Sequence, residues 1–264
     1  KHILISLVIP VYKTYDFIER LIKSIESQSL KCPVELIFID DTPIAERKSL
    51  KVLIGSLNTE IPTFCYVNSK NMGVTYSRNK GYFKSNGQYV FFLDSDDTLL
   101  DSAMNIITSK LNAFDCSIYL FRVVGPTGKV NGIVVDIEKT YLGVTCVTDA
   151  YGIGECFVGV KKYDSIKPFI STYRGHELAG LSRFISKIDN KSLYLGNDAV
   201  RMYFQDNAHS LSKGTIFTSR LKDIAKGHLY LSSLFFKESS YLAAITWLSK
   251  YIIRNIQSKM VNKS

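Results

Sequence analysis

The chain has 264 residues, of which 46% are apolar and 22% charged, and carries a net charge of +9 at neutral pH. That balance excludes a disordered chain, since so much apolar surface can fill a core. No apolar run reaches the roughly 18 residues of a membrane-spanning helix. The length suits one large α/β domain, or one domain with an appendage. The five cysteines (Cys32, Cys65, Cys116, Cys146 and Cys156) contain no C-x-x-C pair. They read as scattered reduced thiols, not as a disulfide framework or zinc site. The run from Lys1 to Pro10 has no small-residue cleavage site, so no secretory signal is expected and the reading is cytosolic.

The elements alternate along the first half. Ile3–Ile9 is a continuous apolar run, the pattern of a strand buried on both faces. Thr14 stands where it can cap a helix whose Phe17, Ile18, Leu21, Ile22 and Ile25 recur at helical spacing. A strand at Val34–Ile39 ends in Asp40-Asp41, and an amphipathic segment follows from Ala45 to Leu57. Then come a short strand (Thr63–Val67), a helix (Val74–Lys84) and a strand (Tyr89–Leu93) that stops at Asp94-Ser95-Asp96-Asp97. This order predicts a mostly parallel sheet flanked by helices, with ligands beyond the carboxyl ends of the strands. Further on, Cys116–Val124 and Val130–Val135 read as a hairpin around Gly125-Pro126-Thr127-Gly128. Thr145–Gly154 reads as a Gly-rich loop, Phe157–Tyr163 as a strand and Leu178–Ile185 as a helix, with long helical patterning after Ser212.

Two carboxylates two residues apart at a strand end, Asp94 and Asp96, cannot both be buried without a cation to neutralise them. A divalent metal with hard oxygen ligands meets that need. The other reading of the same residues is that Asp97 caps the next helix and its neighbours are solvated.

Four stretches decide between these readings. They are Leu7-Val8-Ile9-Pro10-Val11-Tyr12, Glu35-Leu36-Ile37-Phe38-Ile39-Asp40-Asp41, Asn71-Met72-Gly73-Val74-Thr75-Tyr76-Ser77-Arg78-Asn79-Lys80-Gly81 and Phe92-Leu93-Asp94-Ser95-Asp96-Asp97, in that order. The set resembles the family 2 glycosyltransferases of the GT-A fold, closely over residues 3–110 and loosely over 155–212. The resemblance implies an inverting enzyme with a nucleotide-sugar donor, UDP-linked, and a Mn²⁺ or Mg²⁺ ion. It implies that Pro10 and Tyr12 pack on the nucleobase and that Asp41, with Asp40 beside it, accepts a hydrogen bond from the base. Arg78 would lie near the nucleotide and diphosphate. Asp94 and Ser95 would join the nucleotide site, Asp94 also reaching the metal's water and Asp96 ligating the metal. The catalytic base would be Glu177, preceded by His176 where the family usually has a second acidic residue. His209 would be a further metal or phosphate contact. The implied acceptor is a polyprenyl-diphosphate-linked glycan of O-antigen or capsule synthesis at the inner face of the plasma membrane. The competing class is an inactive, glycosyltransferase-like binding module. A nucleotidyltransferase is disfavoured because Pro10–Thr14 lacks the glycines of a triphosphate loop.

On this reading residues 1–212 form the catalytic domain, with the nucleotide part at about 1–115 and the acceptor part at about 116–212. Residues 213–264 are a helical tail. The tail holds nine basic and two acidic residues, a net of +7 against +2 for the rest. Leu242, Ile245, Leu248, Ile252 and Ile256 share one helical face, with Trp247 and Tyr251 beside it and Lys250, Arg254 and Lys259 toward the other side. Such a helix can lie on an anionic membrane surface, or pack on the catalytic domain with its basic face in water. Without a recognition motif, nucleic acid is not expected as a partner.

Overall fold

The computed structural model describes residues 4–132, 138–150, 154–171, 177–204 and 221–261. Its centre is a sheet of nine strands in the order β3-β2-β1-β4-β8-β6-β9-β5, with β7 paired to β9. The first four strands are β1 (Ile5–Val11), β2 (Val34–Asp40), β3 (Thr63–Val67) and β4 (Tyr89–Phe92), and they pair with one another in parallel. The remainder are β5 (Thr98–Leu99), β6 (Ile118–Val124), β7 (Lys139–Leu142), β8 (Cys156–Lys161) and β9 (Ser192–Met202). Of their pairings only β6–β9 is parallel, so the second half of the sheet is mainly antiparallel.

The helices are α1 (Ile18–Glu26), α2 (Leu50–Ser56), α3 (Val74–Lys84), α4 (Ala103–Ala113), α5 (Cys146–Asp149), α6 (Glu177–Ser186), α7 (Leu221–Lys237) and α8 (Tyr241–Val261). Side chains alternate across a strand, and β1 sorts its residues accordingly. Leu7, Ile9 and Val11 join the core shared with Leu21 and Ile25 of α1, Leu50 of α2 and Ile107 of α4. Val8 joins the opposite core, with Tyr82 of α3, Val147 of α5 and Phe184 of α6. The result is a three-layer sandwich. At Gly81 of α3 an added Cβ would stand 2.3 Å from Val8 Cγ1, so the helix lies close on β1 because it has no side chain there.

Several sequence expectations change. Thr14 occupies the N-cap position of a 3-10 turn (Tyr15–Phe17), but its hydroxyl makes no cap. It shares a hydrogen bond with Ser95 Oγ at 2.6 Å instead. The segment expected over 45–57 breaks into a 3-10 turn (Ile44–Glu46) and α2. The expected loop over 145–154 contains α5. The Gly125–Gly128 turn does fold back, with a bridge between Val124 and Val130, while 133–135 of the expected partner strand lie outside the described residues; the long-range partners of β6 are β8 and β9. β9 was not singled out in the sequence; its Gly196-Asn197-Asp198 breaks the apolar pattern of a strand, and in the sheet these residues fall at a register shift opposite β6.

The tail helices form their own small core. Leu231 and Phe235 of α7 and Ala244 and Trp247 of α8 close on Ala179 of α6. The face of α8 singled out in the sequence points elsewhere: Leu242 is 81% exposed, and Ile245, Leu248, Ile252 and Ile256 are also open. Among the described residues no helix is long and apolar enough to cross a membrane.

Candidate active site

The order β3-β2-β1-β4 reverses direction between β1 and β4, and at such a switch point the connecting loops part to leave a crevice. The expected residues gather at that edge. Pro10 lies near the end of β1, Tyr12 follows it, Asp40 ends β2 with Asp41 next, and Asp94, Ser95 and Asp96 follow β4. Arg78 reaches in from α3 and Glu177 from the first turn of α6. His176 and His209 lie outside the described residues.

Several of these side chains are taken up in building the edge. Lys13 adopts a left-handed φ of 58°, and its N–H donates to Thr42 Oγ1 at 3.0 Å, turning the chain sharply after Tyr12. Asp40 accepts from Tyr15 Oη at 2.8 Å and from the Thr42 N–H at 3.0 Å. Asp41 is buried and accepts three bonds, from Asn68 Nδ2 (2.8 Å), the Met72 N–H (2.7 Å) and the Gly73 N–H (2.8 Å). Gly73, at φ 89°, is the N-cap residue of α3, so Asp41 fixes where the helix carrying Arg78 begins. Ser95 is buried on Thr14 and ties the end of β4 to that of β1.

The charged centre is a chain of ion pairs. Arg78 donates from Nη2 to Asp94 Oδ1 at 2.7 Å and from Nη1 to Glu177 Oε1. Arg201, on β9 and only 2% exposed, faces the other Asp94 oxygen at 3.3 Å, Asp97 Oδ2 at 3.2 Å and, through Nη2, Glu155 Oε1. The cation that the sequence demanded for Asp94 is therefore supplied twice by the protein. Burial alone would raise the Asp94 carboxyl, but Arg78 and Arg201 together hold it below the usual carboxylate range. Asp97 is not a helix cap. It is wholly buried, accepts from the Phe204 N–H at 3.1 Å, and burial reinforced by Asp94 and Asp96 pushes its carboxyl upward against Arg201. Burial likewise raises Glu155, with Arg201 opposing it and Asp94 and Glu177 adding to it.

Glu155, Arg201 and Asn79 are residues that the sequence reading did not place in the site. Asn79, beside Arg78, donates to the Phe169 carbonyl at 2.9 Å and accepts the Phe169 N–H at 3.0 Å. That two-way clasp fixes the segment on which α6 rests. An added Cβ at Gly180 would stand 2.7 Å from Phe169 Cα and 2.9 Å from the Pro168 carbonyl. Glu177 thus starts a helix seated directly on backbone. Glu155 lies in no legible motif, its only signal a charge beside an apolar run, and Arg201 only opens the segment to Lys213 that loosely resembles the family's.

Among the described residues no three His, Cys, Asp or Glu side chains gather into a cage for a metal. Asp94 gives an oxygen to each arginine, and Asp96 is half-buried beside it. A divalent cation at this ledge would meet the carboxylates Asp94 and Asp96 and draw most of its oxygen shell from a ligand and water, a coordination that Mg²⁺ commonly adopts.

Residues 6–183 match the family described as glycosyl transferase family 2. A GalNAc(5)-diNAcBac-PP-undecaprenol beta-1,3-glucosyltransferase of Campylobacter jejuni is 32% identical over 108 residues, covering 41% of this chain and 34% of that protein. Glycosyltransferase GlyA of Streptococcus pneumoniae is 24% identical, covering 80% of this chain and 31% of that protein. The chain thus spans about a third of the length of these relatives. Among solved structures, Staphylococcus aureus TarS 1-349 in complex with UDP-GlcNAc superposes with a TM-score of 0.66 at 13% identity, over 95% of this chain and 81% of that one. That likeness shows the shared GT-A architecture, and with the family match over most of its length the chain belongs to glycosyl transferase family 2.

Proposed function

We propose that this chain is an inverting glycosyltransferase that moves one sugar from a UDP-linked donor to a lipid-linked surface glycan. The observation that carries the reading is the ion-pair chain at the switch point, which brings Arg78 and Asp94 of the nucleotide half against Glu177 of the acceptor half. Crystals of TarS with UDP-GlcNAc support a UDP-sugar, and the undecaprenol-linked substrate in the name of the Campylobacter relative supports a polyprenyl-diphosphate acceptor.

In this scheme Tyr12 and Pro10 line the base pocket, with Asp41 and Asp40 shaping it from beneath. Arg78 takes a diphosphate oxygen, and the sugar lies between the β4 ledge and α6. Glu177 takes the proton of the acceptor hydroxyl as its oxygen bonds to the anomeric carbon. The anomeric carbon–oxygen bond to the diphosphate breaks on the opposite face, and its electron pair leaves with the nucleotide. A Mn²⁺ or Mg²⁺ ion, held by Asp96 with Asp94 behind it, would supply charge neutralisation for that leaving group. His209 is proposed as a further contact on the diphosphate side. Residues 1–212 would act as the catalytic unit, and the tail as a peripheral anchor on the inner leaflet. The open apolar face of α8, with the basic charge of the tail around it, supports that anchoring.

The test is turnover of a panel of UDP-sugars with Mn²⁺ by wild type, Asp96→Ala and Glu177→Gln. Loss of turnover in both variants, with UDP binding retained in Glu177→Gln, is the expected result. Undiminished activity in Glu177→Gln removes it as the base.

A further inference from the structure

Arg78 serves two carboxylates at once, Asp94 at 2.7 Å and Glu177 through its other terminal nitrogen. The guanidinium is 9% exposed, and its Nε has no hydrogen-bond partner among the described residues. A buried guanidinium N–H without an acceptor is costly, so the group has unused capacity for one more anionic oxygen. Its two partners differ. The Asp94 side chain is 30% exposed and is also held by Arg201, whereas the Glu177 side chain is 39% exposed and starts a helix at the rim.

While Glu177 is held on Arg78, one of its two oxygens is taken and the side chain is fixed by the ion pair instead of being turned to an acceptor. A diphosphate arriving at the same edge competes for the same guanidinium, and phosphate oxygens match its planar fork in geometry and exceed a single carboxylate in charge. The orphan Nε adds a third donor to that contest.

We infer that Arg78 is exchanged between the base and the donor: it holds Glu177 when no nucleotide is present and releases it to the acceptor when the diphosphate binds. Arg201 is the positioning residue that permits the exchange, because Asp94 keeps one guanidinium when Arg78 turns away. Activation of the acceptor then follows donor binding, so the base is not armed in the empty site. This rests on the reading of Glu177 as base and of the β4 edge as a diphosphate site.

The exchange makes a prediction opposite to that of a simple binding residue. Glu177 competes with the nucleotide, so removing its charge should tighten nucleotide binding. Titration calorimetry with UDP in Mn²⁺ buffer, on wild type, Glu177→Gln and Glu177→Ala, is expected to give a Kd about fivefold lower in both variants. That is the size of one partly exposed ion pair removed from competition. The gain should vanish when Arg78→Met is added to Glu177→Gln, with unfolding curves confirming that each variant is folded. A Kd unchanged or raised by both Glu177 substitutions overturns the exchange while leaving the nucleotide site standing. Failure of wild type and variants alike to bind UDP overturns the exchange together with the functional reading beneath it.

Discussion

Asp41 offers the sharpest separation between building a site and serving in it. Replacing it by Ala removes the acceptor for Asn68 Nδ2, the Met72 N–H and the Gly73 N–H. The losses are unequal. Asn68 Nδ2 keeps Ser77 Oγ at 2.9 Å for its other hydrogen, and the Gly73 N–H keeps the Asn71 side-chain oxygen at 3.0 Å. The Met72 N–H and one Asn68 hydrogen are left with no other acceptor among the described residues. Each charge-assisted bond of this kind is worth about 1.5 kcal/mol when partly buried, so Asp41→Ala should cost roughly 3 kcal/mol. For a chain of this size that is a fall of about 6 °C in Tm. Asp41→Asn should fall between, since its amide keeps one acceptor but turns N–H toward one of the donors. Urea unfolding measures the stability, and calorimetry with UDP on the same samples measures the site. If Asp41→Ala keeps wild-type stability yet loses UDP affinity, the carboxylate belongs to the nucleobase and the reasoning from the α3 N-terminus is wrong.

Four other outcomes follow from the same geometry. Gly180→Ala drives a methyl into the backbone at Phe169 and Pro168, so it should lower stability by about 2 kcal/mol, read by urea unfolding, and reduce kcat by shifting Glu177. Asn79→Ala opens the two-way clasp on Phe169; a drop of about 2 kcal/mol in unfolding free energy is expected. His228 is buried against Trp247, and burial, with Arg254 and Lys250 nearby, lowers its imidazole to about 4. The unfolded chain therefore takes up a proton below about pH 6.5 that the folded chain refuses until about 4. Stability should fall as pH drops through that window, and His228→Phe should flatten the fall in unfolding curves recorded at stepped pH. Substituting Ser for Ile245, Ile252 and Ile256, all at least half exposed, should leave Tm within about 1 °C and abolish co-sedimentation with anionic vesicles. Undiminished co-sedimentation would remove α8 from the anchoring scheme.

The primary sequence by itself determined the half of the sheet built from β1 to β4. A run such as Ile5–Val11 has no polar face to show water, so it must be a central strand, and the helices between such runs impose parallel order. The helix Val74–Lys84 and the strand Thr63–Val67 were legible to the residue, and the carboxylates Asp41, Asp94 and Asp96 stood at strand ends where a parallel sheet opens. Tertiary structure decided the rest. Glu155, on the approach to β8, and Arg201, on β9, become neighbours of Asp94 only because antiparallel pairing lays β8 against β4 and the parallel β6–β9 pair brings β9 alongside. Local pattern carries no record of such long-range register, and the Gly196–Asp198 irregularity even masked the strand that delivers Arg201. Composition could show that acidic side chains at a strand end require positive charge. Only the packed chain could show that two arginines, from α3 and β9, provide it, because desolvation makes an ion pair obligatory without specifying which distant residue will form it.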